Sequence, residues 1–336
     1  MNLPTLMTRI AAFRGHALPF SATPAPSDDP QSEVIAADAR NQAKPSAPLR
    51  SARNVEFARR ASSGSTGRDL ALRMDILTPR EPGRYPLVVY IPGGGFVVAP
   101  KIGGARMRRY VAAAGFVVAS VEYRTTAHGA TYRDGIADIR AAIEFLRAHA
   151  HDYGIDPTRV AVWGESAGGY LASMVGVTGG DPRLDPTSAG SVLAVVNKFG
   201  GSSLDRLAEG FSAETVAANS VAGNAPARYV HGPGAASLRD DEVELRAADP
   251  LSYVRRDSPA FLLFHGTDDR LISPIQTALL HHALRDAGVD STRYLVEGAG
   301  HGDIAFKSGE EKVWTTVPML QLIVDFLKRT LRDPTN

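Results

Sequence analysis

The chain contains no cysteine among its 336 residues. That excludes a disulfide framework, a thiolate metal site and a cysteine nucleophile. Net charge is almost absent: 37 Lys and Arg stand against 36 Asp and Glu, a formal +1. No long basic run relieves this balance, so neither a nucleic acid nor a membrane surface is the expected partner. No apolar run approaches the length that spans a bilayer. A secretory leader needs an unbroken apolar core, and Arg9 and Arg14 interrupt the N-terminal apolar positions. The segment "ALPFSATPA" is only weakly like a cleavage region, so the expectation is a cytoplasmic protein without stable membrane association. No internal repeat is visible. Oligomeric state is left open, a homodimer included.

What is present is a rhythm of short apolar runs. "PLVVYIP", "FVVASVEY", "RVAVWG", "VLAVVNKF" and "AFLLFHG" are nearly continuous in apolar residues. Such runs suit strands buried on both faces of a mostly parallel sheet. "NVEFARR" and "DLALRMDIL" alternate instead, as antiparallel strands do. Helical spacing lies between the runs. Ile136, Ile139, Ile143 and Leu146 share one face over residues 134 to 150. "SPIQTALLHHALRDAG" predicts a helix with Ser273 as N-cap, Pro274 at its first position and Gly288 as its stop. A last helix carries Val317, Leu320, Val324, Leu327 and Leu331. Strands alternating with helices predict an α/β fold with a mostly parallel central sheet flanked by helices.

Two regions break the rhythm. Residues 1–50 are expected to form an N-terminal arm or linker. Within it, Met1 to Phe20 fits a short amphipathic helix, and Ser21 to Leu49 is irregular and rich in Pro, Ala, Ser and Asp. Residues 51–336 are expected to form the main domain. Inside that domain, about 199–250 is long, glycine-rich and irregular, which predicts a cap over the carboxyl edge of the sheet.

The strongest chemical signal is "RVAVWGESAGGYLASMVG". It places Gly164-Glu165-Ser166-Ala167-Gly168 between a buried strand and a helix. A serine on so sharp a strand-to-helix turn projects its hydroxyl at the top of the sheet, and small residues on either side permit the turn. Serine is a poor nucleophile near neutral pH and needs a base, which in turn needs an orienting acid. In this arrangement the acid and then the histidine follow the serine in the chain. "TRYLVEGAGHGD" supplies His301 after the last strand. "PAFLLFHGTDDRLISP" supplies two adjacent aspartates. Asp269 is preferred because it falls where the chain leaves the turn, with Asp268 and Glu297 as alternatives. His265 lacks the late position and is set aside as a base.

The stretch "VVYIPGGGFVVAP" ends a strand in three glycines. Fixing glycine costs entropy, so such a run needs a reason. The reason offered here is an oxyanion hole from the N–H groups of Gly94 and Gly95, joined by that of Ala167. Phe96, Tyr170, Phe199, Phe211 and Tyr229 are candidates to line a substrate pocket, an ordinary core role being the alternative for each.

These residues resemble the α/β-hydrolase superfamily, in particular esterases related to hormone-sensitive lipase and to bacterial feruloyl and acetylxylan esterases. The resemblance runs from about Asn54 to the C-terminus. It includes "YRDGIADIRAAIEFLRAHAHDYGIDPTRVAVWGESAGGYLA", "DPLSYV" and "HGTDD". It implies a carboxylic ester hydrolase with Ser166, Asp269 and His301 as triad, a small-molecule ester as substrate, no cofactor and no metal. One departure stands out: Pro92 occupies the place where the family usually has histidine before the glycines. The same triad also serves amidases, peptidases, acyltransferases and lactone-forming enzymes, and a binding protein on an inactive fold is the non-enzymatic alternative.

Overall fold

In the computed structural model, residues 29–36, 38–44, 46–61, 69–185, 191–207, 209–213, 225–302 and 310–332 are described. The strands are β1 (Glu33–Ala36), β2 (Leu49–Arg60), β3 (Leu70–Pro79), β4 (Tyr85–Ile91), β5 (Val117–Val121), β6 (Ile155–Glu165), β7 (Ala194–Lys198), β8 (Ala260–Gly266) and β9 (Ser291–Glu297). They form one sheet in the order β1-β9-β8-β7-β6-β4-β5-β3-β2. Pairing is parallel from β1 across to β5, and antiparallel where β3 meets β5 and β2. Every strand expected from the apolar runs is present, and the fold is that of an α/β hydrolase.

The longer helices are α1 (Ala105–Ala113), α2 (Tyr132–Ala148), α3 (Ala167–Val177), α4 (Ala225–His231), α5 (Glu242–Ala247), α6 (Ile275–Asp286) and α7 (Val317–Thr330). Strand alternation divides the core in two. Leu87, Val89 and Ile91 of β4 pack with α2, α3 and α6. Val88 and Tyr90 pack with α1 and α7 on the other face. Both faces are covered, which is why the central strands read as continuous apolar runs rather than alternating ones.

The helix over 275–286 begins one residue later than expected. Pro274 is its cap, and the Ser273 hydroxyl accepts from the Ile275 N–H at 3.3 Å. Gly288 follows at φ 77°, the left-handed conformation that ends helices. The amphipathic helix expected over Met1 to Phe20 lies outside the described residues.

The N-terminal arm differs from its expectation where it is described. Composition suggested a loosely held linker, but Glu33–Ala36 adds β1 to the sheet beside β9. Asp29 bonds to Arg293 and His282, and Ala43 is buried. The reason is tertiary: backbone pairing and one buried ion pair anchor a segment that has no periodicity of its own.

The long β7–β8 connection carries α4, α5 and a tight turn at Pro250–Tyr253. It is fastened to the main body at several points. Arg133 of α2 forms a two-pronged ion pair with Glu244 of α5 at 3.0 and 2.7 Å. Tyr170 of α3 donates to the Ala248 carbonyl at 2.7 Å. Within the connection, its two ends are joined where the buried Asp249 carboxylate accepts from the Leu204 N–H at 2.8 Å and the Ser203 hydroxyl at 3.3 Å. Burial, helped by the nearby Asp205 charge, pushes the Asp249 carboxyl up to about 7.

A carboxyl whose pKa is higher folded than unfolded binds its proton more tightly in the native state. Its stabilising effect is complete below about pH 4 and is lost as pH rises through about 7. Asp249→Asn keeps the acceptor oxygen but cannot titrate. Urea unfolding at pH 4 and pH 8 is expected to show the wild type losing more stability than the variant, by at most about 4 kcal/mol. Equal losses in the two proteins would refute the assignment.

Candidate active site

The parallel strands deliver their chemistry at one edge. β4 ends in the glycine loop, β6 in Ser166, β8 in the turn with Asp269, and β9 in the loop with His301. Ser166 sits between β6 and α3 at φ 55°, ψ −122°. Few non-glycine residues adopt such a conformation, and it costs about 1–3 kcal/mol. The surroundings fix it. The Ser166 N–H donates to the Lys198 carbonyl at 3.0 Å, and the Ser166 carbonyl accepts from the Tyr170 N–H at 3.0 Å. Gly164 and Gly168 face each other so closely that a Cβ at Gly164 would overlap the Gly168 carbonyl.

The Ser166 hydroxyl lies 2.8 Å from His301 Nε2, and His301 Nδ1 lies 2.6 Å from Asp269 Oδ2. Ser166 is half-buried, His301 is 3% exposed and Asp269 is fully buried. The three side chains expected from the sequence are therefore brought together in the geometry of a Ser–His–Asp triad. Burial alone would push the Asp269 carboxyl up. The His301 charge and hydrogen bonds from His265 and His301 outweigh it, holding the group well below the usual carboxylate range. Its other oxygen accepts from the Leu271 and Ile272 N–H groups at 2.9 and 3.0 Å. Asp268 sits at the partly exposed side of the same turn, its N–H on the Ala299 carbonyl.

The glycine loop lies against the serine turn. A Cβ on Gly93 would stand 2.8 Å from the Glu165 carbonyl oxygen and 3.1 Å from Ser166 Cβ. Gly94 has φ 154°, and a Cβ there would overlap the Val98 backbone. The loop is thus glycine-rich because it must approach the serine turn and fold back on itself. Residues after β5 hold it from outside. The Tyr123 hydroxyl donates to the Pro92 carbonyl at 2.9 Å, and the Thr125 hydroxyl to the Val97 carbonyl at 2.8 Å. The Thr126 N–H and hydroxyl both donate to the Phe96 carbonyl at 2.9 Å. These bonds hold the loop that follows Pro92.

Behind the serine is a buried ionic cluster that sequence reasoning missed. Lys198 Nζ pairs with Glu165, which also accepts from the Tyr90 hydroxyl at 2.8 Å. The same ammonium lies 4.9 Å from the centre of the Trp314 ring and 5.4 Å from that of Phe199. Trp314 in turn donates from its indole nitrogen to the Gly300 carbonyl at 3.1 Å, and so pins the residue before His301. Its sequence sign was a lysine beside Asn197 at the end of an apolar strand.

The aromatic candidates divide. Phe96 stacks on Tyr229 at 4.7 Å and meets Tyr170 edge-on at 5.4 Å. Tyr170 and Tyr229 are buried, with their hydroxyls on the carbonyls of Ala248 and Arg124. Phe199 tilts against the His301 ring at 4.7 Å. Phe211 is half-buried, and among the described residues no ring contact joins it to this cluster. Among those residues there is also no group of three metal-ligating side chains, and no helix is long and apolar enough to cross a membrane.

Comparison with known proteins agrees with this geometry. The family model BD-FAE matches residues 74–284. Esterase LipQ of Mycobacterium tuberculosis is 27% identical over 240 residues, 67% of this chain and 51% of LipQ. Esterase LipC of the same organism is 31% identical over 224 residues, 65% of this chain and 53% of LipC. The chain thus spans about half the length of the curated relatives it matches. Among solved structures, a truncated carbohydrate esterase from gut microbiota superposes with a TM-score of 0.64 at 22% identity. That match covers 88% of this chain and 100% of the other. At that identity the likeness shows the fold alone.

Asp269→Asn keeps the shape of the acid but removes its charge and disturbs the histidine tautomer. Turnover is expected to fall about 10⁴-fold. Asp268→Asn is expected to stay within a few-fold of wild type. The reverse order in side-by-side kinetics would move the acid to Asp268.

Proposed function

Because the chain belongs to the BD-FAE family, we propose that it is a serine hydrolase cleaving carboxylic esters through an acyl-enzyme intermediate. The observation that carries this reading is the bonded Ser166–His301–Asp269 relay at the carboxyl edge of the sheet. The relatives named as esterases support it.

Ser166 Oγ attacks the ester carbonyl while His301 Nε2 takes its proton. Asp269 stabilises the imidazolium through Nδ1 without itself being protonated. The carbonyl oxygen becomes an oxyanion and is met by the N–H groups of Gly94, Gly95 and Ala167. Ala167 begins a buried eleven-residue helix, whose N-terminal dipole adds to that field. One such donor is commonly worth about 3 kcal/mol of transition-state stabilisation. The tetrahedral intermediate collapses, and His301 gives the proton to the departing alcohol. Water then attacks the acyl-enzyme with the same histidine as base, releasing the acid and free serine.

In this reading Phe96 and Phe199 border the acyl group, while Tyr170 and Tyr229 back Phe96 from the core. Phe211 is assigned to the outer wall. The balanced charge supports a small diffusible ester rather than a nucleic acid or a membrane surface as partner, and the cytoplasm is the compartment assumed.

A chain-length series of p-nitrophenyl esters tests the proposal. Wild type is expected to turn over the short acyl esters, and Ser166→Ala to lose at least about a thousandfold while keeping its fold. Wild-type inactivity on every ester, or full activity in the serine variant, would overturn it.

A further inference from the structure

The Asp269 carboxylate is bonded on every side. Oδ1 takes two backbone N–H groups, and Oδ2 takes His301 and a second histidine, His265, whose Nε2 lies 3.1 Å away. His265 is fully buried at the end of β8. Its Nε2 faces two proton-free acceptors, the Asp269 carboxylate and the Ile272 carbonyl at 3.0 Å. Nε2 must therefore carry the proton and donate it. Nδ1 faces the Thr277 hydroxyl of α6 at 3.1 Å. That hydroxyl accepts from Arg293 Nε at 3.0 Å, and its single proton faces two acceptors, Nδ1 and the Pro274 carbonyl at 3.3 Å. The two acceptors at Nε2 set the tautomer of His265, and the Thr277 hydroxyl closes the other side of the ring.

The chain of contacts continues to the N-terminal arm. Arg293 of β9 is buried and paired in register with Leu263, so it shares a sheet face with His265. Its Nη2 donates to the Pro274 carbonyl at 2.9 Å. Its Nη1 reaches Ser32 at 2.5 Å and Asp29 at 3.3 Å. Asp29 is further bonded by the Ser32 hydroxyl at 2.5 Å and by His282 at 2.9 Å. Of Arg293's charge partners among the described residues, Asp29 is the one that compensates it. Burial pushes the Arg293 guanidinium down to about 10, so it has little solvent to rely on for its charge.

We propose that His265 is a positioning residue of the triad, and that the Asp29–Arg293–Thr277 clasp behind it makes the N-terminal arm part of the catalytic apparatus. His265 donates one hydrogen bond that fixes the rotamer of Asp269, so that Oδ2 stays aimed at His301 Nδ1. Burial also pushes the His265 imidazole down, and the Arg293 charge adds to this, so the ring stays neutral and in one tautomer. The arm acts two steps back, by neutralising the cation that orients Thr277.

The proposal rests on the hydrolase reading, which the wild type and Ser166→Ala test separately. His265→Phe removes the donor and keeps the ring volume. His265→Gln retains an N–H near the Nε2 position. With p-nitrophenyl butyrate, or whichever ester the wild type turns over best, kcat is expected to fall about ten- to hundredfold in the Phe variant. KM should change less than twofold. The Gln variant should recover to within about threefold of wild type. A loss shared equally by both variants would make His265 merely structural, and an unchanged kcat in the Phe variant would refute the proposal outright. Should His265→Phe fail to fold, Asp29→Asn is the second reading. The proposal expects kcat about threefold lower there, with KM unchanged and the melting temperature within a few degrees of wild type. An unaltered kcat in that folded variant would sever the arm from the triad.

Discussion

Ser166 is held at φ 55°, and most of the site follows from what that conformation requires. The strain costs about 1–3 kcal/mol and persists only because neighbouring groups overdetermine it. β6 must end within one residue of the start of α3. Gly164 and Gly168 must lack side chains so that strand and helix can meet. The Lys198 carbonyl from β7 must accept the serine N–H. The reward is a hydroxyl raised above the sheet edge, with the first N–H of a buried helix beside it.

The other parts of the site arrive at the same edge because the sheet is parallel there. Each βα turn opens at the carboxyl end of its strand, so one edge collects the glycine loop, the acid and the histidine. The second layer is polar and mostly buried. Tyr123 and Thr125 hold the glycine loop, Trp314 holds the histidine loop, and the Glu165–Lys198–Tyr90 cluster sits beneath the serine. Groups of this kind cost desolvation, and here each charged or hydroxyl group is matched by a partner. They tie the loops at this edge to the strands and helices beneath them.

The sequence was most legible where local pattern and function coincide. Continuous apolar runs marked the buried strands, and Gly164 to Gly168 marked the nucleophile turn. The order of Ser166, Asp269 and His301 could be read because it follows the order of the parallel strands. Tertiary partners were not legible. His265 was set aside for lying too early to be the base, and position alone does not reveal a histidine that bonds the acid instead. The arm looked loose because its attachments, Asp29 to Arg293 and β1 to β9, join residues far apart in the chain. Likewise, the support of the glycine loop, the Tyr123 hydroxyl on the Pro92 carbonyl, joins residues 31 positions apart and leaves no local pattern.

The central claim is that the serine turn and the glycine loop together bind a developing oxyanion. A crystal structure of the protein inactivated by an alkyl phosphonate tests it most directly. The account predicts phosphorus bonded to Ser166 Oγ, with the phosphonyl oxygen within about 3 Å of the Gly94 or Gly95 and Ala167 nitrogens. A phosphonyl oxygen pointing away from those nitrogens, or a label on another side chain, would contradict it.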